Sequence, residues 1–556
     1  MARRLNLTRT VRRSFGPALV LAASASCDLI PTALEQTPPA LAGQDVSLTI
    51  LHTSDLHSRL FPYDFDPTFT DNGLCLNDGQ GPYGGIARIG YILERERSKA
   101  VRSLHLDSGD CFQGAIVFNE YFGEAEFRSM TEIGLDAAVV GNHEFDASAA
   151  NLASQYSAHG GFALLAANYD FESSSEPWAT DLEHYVLPSA MYDLDGLRVG
   201  VIGLGNLSSL NSIYDESNSM GITVIEAEDV IPRESSKLRA QGADIVIVLS
   251  HKGMDDDFEL ARTITGFDLI IGGHHHVAID PPPVITNEVT GKRIPVVHSG
   301  AFAKFIGRLD VVVRDGNILS TDYTLFPVHS GVPQDPDVVE LMDEYQEMLD
   351  YDFNLEQVIG YAEEKLTRYG SSGGDSMLGN LSADAMRFYQ GVETEIALTN
   401  TLGIRADIAA GDITLDTIYN SMPFDNTITT MFLSGREVQE LLDYVASRSS
   451  DRGCNSQAQI SGMSFVMDCA QQVACDIVIN GRALDENGTY ELATNNYIAN
   501  GGSGFEVLER NTTQYDTEVS IRDVVIASIQ TYHTLPQDGV AEEEGRIVPV
   551  TEAYCQ

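Results

Sequence analysis

The chain has 556 residues, 43% hydrophobic and 21% charged, proportions of a soluble globular protein whose length asks for more than one folding unit. Its 81 acidic against 34 basic residues give a formal charge of −47, which argues against a nucleic-acid-binding surface and disfavours anionic lipid. A small phosphate ester would also be repelled at long range, so phosphate chemistry here requires positive charge concentrated at the site, from metal ions or clustered arginines.

Residues 1–26 read as an export signal, of simple or lipoprotein type: Arg3, Arg4, Arg9, Arg12 and Arg13 precede the apolar run Gly16–Ala23 and a small-residue stretch ending before Cys27. The run is too short to anchor the chain across a bilayer. Ser24-Ala25-Ser26-Cys27 resembles the lipobox of bacterial lipoproteins, with Ser24 where an aliphatic residue is usual, so acylation of Cys27 and plain cleavage both stay open. Either outcome predicts a periplasmic or cell-surface protein, touching a membrane only through that lipid. Six cysteines remain beyond Cys27, an even number compatible with disulfides in an oxidising compartment. The spacing of Cys454, Cys469 and Cys475 fits no common zinc pattern and predicts a loop disulfide instead.

Residues 27–46, with Pro31, Pro38 and Pro39, read as a flexible tether. A first domain is expected over 47–330, because short apolar runs alternate with helical patterns: Val46–Leu51, Ala137–Val140, Val199–Ile202, Ile245–Leu249, Leu269–Ile271 and Ile294–Val297. Fully apolar strands separated by helices predict an α/β core with buried sheets. The acidic helical stretch around Asp335–Tyr345 places a linker helix within 331–358, followed by a second domain over 359–545 and a tail over 546–556.

Polar motifs stand at the C-terminal ends of the predicted strands, where open α/β sheets place ligands. Asp55 and His57 follow the first run as Asp-x-His, and Asp110 ends Leu106-Asp107-Ser108-Gly109-Asp110. Gly141-Asn142-His143-Glu144-Phe145-Asp146 follows the second run, His251 follows Ile245–Leu249 and Ser250, and His274-His275-His276 follow Leu269–Ile271 and two glycines. Any one of these alone reads as a loop histidine or a cap. Together they form a mixed carboxylate, amide and imidazole set, suited to zinc, manganese or cobalt rather than to an all-oxygen calcium site. His143 and Asp146 are three apart at a helix start, a spacing that lets the carboxylate orient the imidazole.

As an ordered set these motifs resemble the calcineurin-like metallophosphoesterases, and more closely the 5′-nucleotidase and UDP-sugar hydrolase family, over roughly residues 47–535. The resemblance implies an N-terminal four-layer αββα sandwich joined by a helix to a smaller α+β 5′-nucleotidase C-terminal domain. It implies two divalent ions, one held by Asp55, His57, Asp110 and His276, the other by Asp110, Asn142, His251 and His274. Asp110 would be the bridge, with His143 and Asp146 as a catalytic dyad beside it. His276 stands where relatives often carry glutamine or asparagine, and Ser54 replaces an asparagine.

In the second half, Arg405 offers a planar fork for phosphate, and Phe424 and Tyr497 offer flat faces for a nucleobase, although core aromatics are the commoner case. The resemblance adds Asn400 to the nucleotide contacts and makes the two aromatics a base sandwich. Two departures matter: Gly374 stands where relatives carry a phosphate-binding arginine, and Ser503 where an aspartate holds the ribose hydroxyls. The expected function is hydrolysis of nucleotide phosphate esters by a metal-activated water, on a small-molecule nucleotide or related ester and not on a polymer. Alternatives are a 2′,3′-cyclic-nucleotide phosphodiesterase, a UDP-sugar hydrolase, a thiosulfohydrolase of sulfur oxidation, or a surface-tethered nucleotide-binding protein without turnover. Oligomeric state and disulfide pairing are not legible.

Overall fold

The computed structural model describes residues 41–556 except 66, 172, 173, 175, 207–221, 538 and 556, with the backbone alone at 352. The expected export signal, Cys27 and nearly all of the expected tether 27–46 lie outside the described residues.

All six apolar runs are strands, and they build two sheets. The seven-stranded sheet runs, edge to edge, Asn317–Pro327, Phe305–Arg314, Val46–Thr53, Ser103–Asp107, Ala137–Val139, Ala163–Leu165 and Val186–Leu187. The six-stranded sheet runs Val284–Thr286, Arg293–His298, Leu269–Gly272, Ile245–Ser250, Leu197–Leu204 and Ser189–Leu194. Side chains alternate faces along each strand, and here both faces are apolar. Leu48 and Ile50 of one sheet meet Ile245, Ile247 and Leu249 of the other in a shared inter-sheet core. Leu51 and Ala138 point the opposite way, onto the helices Ile86–Arg97, Glu124–Glu132 and Ala149–His159. Val246 and Val248 pack outward onto Ala227–Ala240 and Met254–Thr263. The result is the four-layer αββα arrangement. Each fully buried isoleucine or valine contributes about 1.5–3 kcal/mol to it.

The central strands pair in parallel, Thr53 beside Asp107 and Ser250 beside Gly272, so their C-terminal ends lie along one edge. The antiparallel hairpin Phe305–Arg314 with Asn317–Pro327 flanks the first strand, an element the apolar runs do not announce because its outer strand is largely polar and exposed.

The helix Pro336–Phe353 starts with Asp335 as N-cap, accepting from Asp337 N and Val338 N, and with Pro336 where a missing N–H costs nothing. Val338, Met342, Tyr345 and Leu349 bury it against the first domain's helices. Beyond it lie a five-stranded, a four-stranded and a three-stranded sheet with the helices Met377–Phe388, Gly435–Ser450 and Ile521–Tyr532. Residues 546–555 are not a loose tail. Ile547–Val550 pairs in parallel with Met463–Asp468, Ile547 is buried, and Cys555 is bonded to Cys475. The expected loop disulfide is Cys454–Cys469, while Cys75 and Cys111 are free.

The two halves are tied by side chains from each. Arg59 bonds the side chain and, at 2.8 Å, the carbonyl of Asn420, and Asn119 Nδ2 donates to Pro423 O (3.0 Å) and Asp425 Oδ2 (2.8 Å).

Candidate active site

The strand ends bring six of the seven expected ligands together, and Asn142 lines the same cavity. Asp55, His57 and His276 place donor atoms within 4.8 Å of one another, and so do Asp110, His251 and His274. A third group, His57, Asp110 and His143, joins them and puts His143 within ligand reach of the cluster as well as beside Asp146. Five of the seven, Asp55, His57, Asp110, His274 and His276, have φ between 48° and 74°. Non-glycine residues pay about 1–3 kcal/mol each for that conformation, a cost that is sustained where it aims side chains at a common point.

The hydrogen bonds fix which atoms are free. His57 Nδ1 donates to Gln113 O (2.8 Å) and His251 Nδ1 to Ser108 O (2.6 Å), so in the neutral ring each Nε2 keeps its lone pair for the cluster. His57 Nε2 faces His276 Nε2 at 3.0 Å, and His251 Nε2 lies 2.8 Å from Asp110 Oδ2 outside hydrogen-bonding geometry. His251 Nε2 and Asn142 Oδ1 are buried without a hydrogen-bond partner among the described residues. Lone pairs and carboxylate oxygens aimed at each other in a dry site are the arrangement a cation resolves, so the residues present fit divalent metal.

The electrostatics favour the ligating form at three of the imidazoles. Burial, aided by neighbouring cations, holds His57 and His276 well below the usual imidazole range and His274 at about 3, in the neutral form that ligates. Burial raises Asp55 to about 7, and burial with the Asp110 charge raises Glu144 to about 7. Burial opposes charge on Asp110 too, but His251, followed by His143, holds it well below the carboxylate range. For His251, the nearby Asp110 outweighs burial and pushes it up to about 10.

Two glycines carry the backbone through this crowd. A Cβ on Gly109 would stand 2.8 Å from Val139 O, and one on Gly141 would strike Asp110 Oδ1. Glu144 holds the two loops in register: its carboxylate accepts from Asp110 N (3.1 Å), Cys111 N (2.7 Å) and Gly141 N (2.6 Å). Beside it, His143 N donates to Asp110 Oδ1 (2.8 Å), and His143 Nδ1 lies 2.6 Å from Asp146 Oδ2. Burial would lower His143, but Asp146 and Asp110 raise it above the ordinary imidazole range.

A cavity of about 680 Å³ opens over the cluster and is walled on its other side by the second domain. Asp110, Asn142, His143, Asp146, His274 and His276 line it, as do Asn400, Arg405, Phe424, Tyr497 and Ser503. Asp55, His57 and His251 lie fully buried beneath. Arg405 bridges the halves, with Nη2 3.3 Å from His57 Nε2 and its guanidinium 5.7 Å from the Phe424 ring centre. Phe424 is 6.3 Å, centre to centre, from His143. Asn400 Oδ1 accepts from Asn495 Nδ2 (2.7 Å), and Ser503 N donates to the Tyr497 hydroxyl (3.1 Å).

Sequence reasoning missed three arginines on the cavity wall, Arg368, Arg448 and Arg452, together with Tyr369. Gly374 is not on the wall. A Cβ there would strike Ile547 O, so no arginine fits, and Arg368 brings a guanidinium to the cavity from six residues earlier. Clustered arginines in so acidic a chain were the available signal.

Residues 48–278 match the model of the calcineurin-like phosphoesterases, and residues 358–510 that of the 5′-nucleotidase C-terminal domain. The 5′-nucleotidase precursor of Thermus thermophilus is 30% identical and superposes with a TM-score of 0.81, covering 91% of this chain and all of that one. The 5′-nucleotidase of Diplobatis ommata is 28% identical over 523 residues, 87% of each chain, and the apyrase of Tabanus yao 28% over 544 residues, 91% of this chain and 94% of that one. With both domains matched in order and the metal-ligand geometry in the first, the chain belongs to the 5′-nucleotidase family and is a metallophosphoesterase, a hydrolase of phosphoric esters.

Proposed function

We propose that the protein is an exported 5′-nucleotidase that binds two divalent ions and releases phosphate from nucleotides. The observation that carries this reading is the shared cavity: the donor cluster with its His143–Asp146 pair forms one wall, and Arg405, Phe424 and Tyr497 form the other. Ester and base are therefore received on opposite sides of one space.

One ion would sit among Asp55, His57, Asp110 and His276 and the other among Asp110, Asn142, His251 and His274, with Asp110 in common. When bound, such ions, zinc, manganese or cobalt by the donor set, supply Lewis acidity and a water of lowered pKa. Asp146 occupies His143 Nδ1 and favours the charged ring, so Nε2–H is left to donate to a phosphoryl oxygen or to the departing alkoxide. Arg405, buried between the halves, neutralises phosphate oxygens with its fork, and Phe424 and Tyr497 hold the base between them.

Export is supported by the disulfides Cys454–Cys469 and Cys475–Cys555, which persist in oxidising compartments. No helix of the described residues is long and apolar enough to cross a membrane.

The test is phosphate release from AMP, cyclic AMP isomers and UDP-glucose with manganese or zinc, comparing wild type with Asp110→Ala and His143→Ala. Turnover of AMP that falls at least ~100-fold in both variants is expected. Wild-type turnover in both would overturn the reading.

A further inference from the structure

The basic residues of this acidic chain are mostly paired with carboxylates: Arg239 with Asp268, Arg308 with Glu96, Arg522 with Asp425 and Arg546 with Asp384 are examples. The four arginines of the cavity are different. Arg405 bonds His57, Arg368 donates to the carbonyls of Ile404 and Arg405, and Arg448 donates to Ser503 O at 2.8 Å. Arg452 has no side-chain partner among the described residues, and none of the four makes an ion pair with a carboxylate there.

They fall into two pairs. Arg405 stands at the donor cluster, with Nη2 3.3 Å from His57 Nε2, and Arg368 is tied to it by donating to its carbonyl at 2.7 Å. Arg448 and Arg452, four residues apart with Asp451 between them in sequence, line the cavity together. Tyr369 lines the same cavity, its ring centre 4.7 Å from the Arg368 guanidinium. Arg448 lies in the last turn of the helix Gly435–Ser450, where a cation also suits the helix dipole, but Arg452 lies past the cap at Asp451 and gains nothing from it. Two neighbouring guanidiniums with a single adjacent carboxylate repel each other until an anion arrives. A monoester whose phosphate is engaged at the donor cluster has no such anion to offer at the Ser503 end.

We propose, resting on the 5′-nucleotidase reading, that Arg448 and Arg452 form a subsite for a second phosphate that is not hydrolysed. The preferred substrate is then a nucleotide with two phosphates on different sugar positions, one presented to the donor cluster and the other to this pair. Ser503 fits the assignment, because its side chain is uncharged and its carbonyl is already engaged by Arg448 and the Tyr444 hydroxyl, so Asp451 is the one carboxylate beside the two guanidiniums at that end of the cavity among the described residues.

The experiment measures KM for AMP, ADP, adenosine 3′,5′-bisphosphate and adenosine 2′,5′-bisphosphate with the manganese-loaded full chain and with R452Q, R448Q and R452K. One of the two bisphosphates is expected to show a KM at least ~10-fold below that of AMP. That ratio should collapse in R452Q and R448Q and be partly kept in R452K, and whichever isomer is preferred fixes the sugar position. Equal KM for AMP and both bisphosphates, a preference for ADP over both, or a preference that survives R452Q and R448Q would overturn the subsite. AMP release separates the two levels: with AMP hydrolysed and no bisphosphate preference, only the subsite fails. If AMP is not hydrolysed, the 5′-nucleotidase reading fails. Calorimetric binding of adenosine 3′,5′- and 2′,5′-bisphosphate to wild type and R452Q then decides the subsite, which is overturned if neither binds or if the variant binds as tightly.

Discussion

Replacing Glu144 by alanine removes the acceptor of three backbone N–H groups at once, those of Asp110, Cys111 and Gly141. The carboxylate is 1% exposed, so these donors have no ready replacement in bulk water. A buried donor left unpaired costs roughly 1–3 kcal/mol, and water entering the vacated space recovers part of it, so a net loss of about 3–5 kcal/mol is expected. Because the affected loops carry Asp110 and Asn142, affinity for divalent metal should weaken by about 10–100-fold as well. Glu144→Gln keeps one acceptor oxygen and should lie between the two. Urea unfolding of the metal-free protein isolates the stability term, and competition with a fluorescent chelator reads the metal term. A Glu144→Ala variant with wild-type unfolding midpoint and wild-type metal affinity would refute this reasoning, since the sheet alone would then be holding the loops.

Asp146→Asn should lower kcat by about 10²–10⁴-fold with little change in KM, because His143 loses the charge that orients it and raises its pKa; steady-state kinetics on AMP would show it. Phe424→Ala and Tyr497→Ala should each cost about 1–3 kcal/mol of base binding, raising KM for AMP while leaving p-nitrophenyl phosphate nearly unaffected. Acid should destabilise the fold through His52, which burial first and the neighbouring His298 second hold at about 3. That stability is fully present above the ordinary imidazole pKa and is lost as pH falls from about 6.5 toward 3, at up to about 1.4 kcal/mol per pH unit. Comparing urea midpoints at pH 7 and pH 5 for wild type and His52→Gln measures it, the variant having the flatter profile.

What could be read in advance follows from how local each feature is. Asp55, His57, Asp110, His251, His274 and His276 stand just after apolar runs, and the C-terminal ends of parallel strands lie along one edge, so their meeting was legible. The left-handed backbone at five of them was not, since Asp and His visit that region more often than most residues but adopt it only where tertiary packing demands it. Arg448 and Arg452 are spaced like the solvent face of an amphipathic helix, and only the approach of the second domain to the donor cluster turns them toward a cavity. The polar edge strand Asn317–Pro327 and the Pro-containing strand Ile547–Val550 escaped for a shared reason: neither has the unbroken apolar pattern of a central strand, and both are defined by their partners.

The central claim is that one shared carboxylate organises two metal ions for ester hydrolysis. Elemental analysis of the purified chain beside Asp110→Ala, with AMP phosphate release measured on the same samples, tests it. Active wild type is expected to carry close to two equivalents of divalent metal, and the variant to lose metal together with activity. Full AMP hydrolysis by chelator-treated protein shown to contain no metal would contradict it.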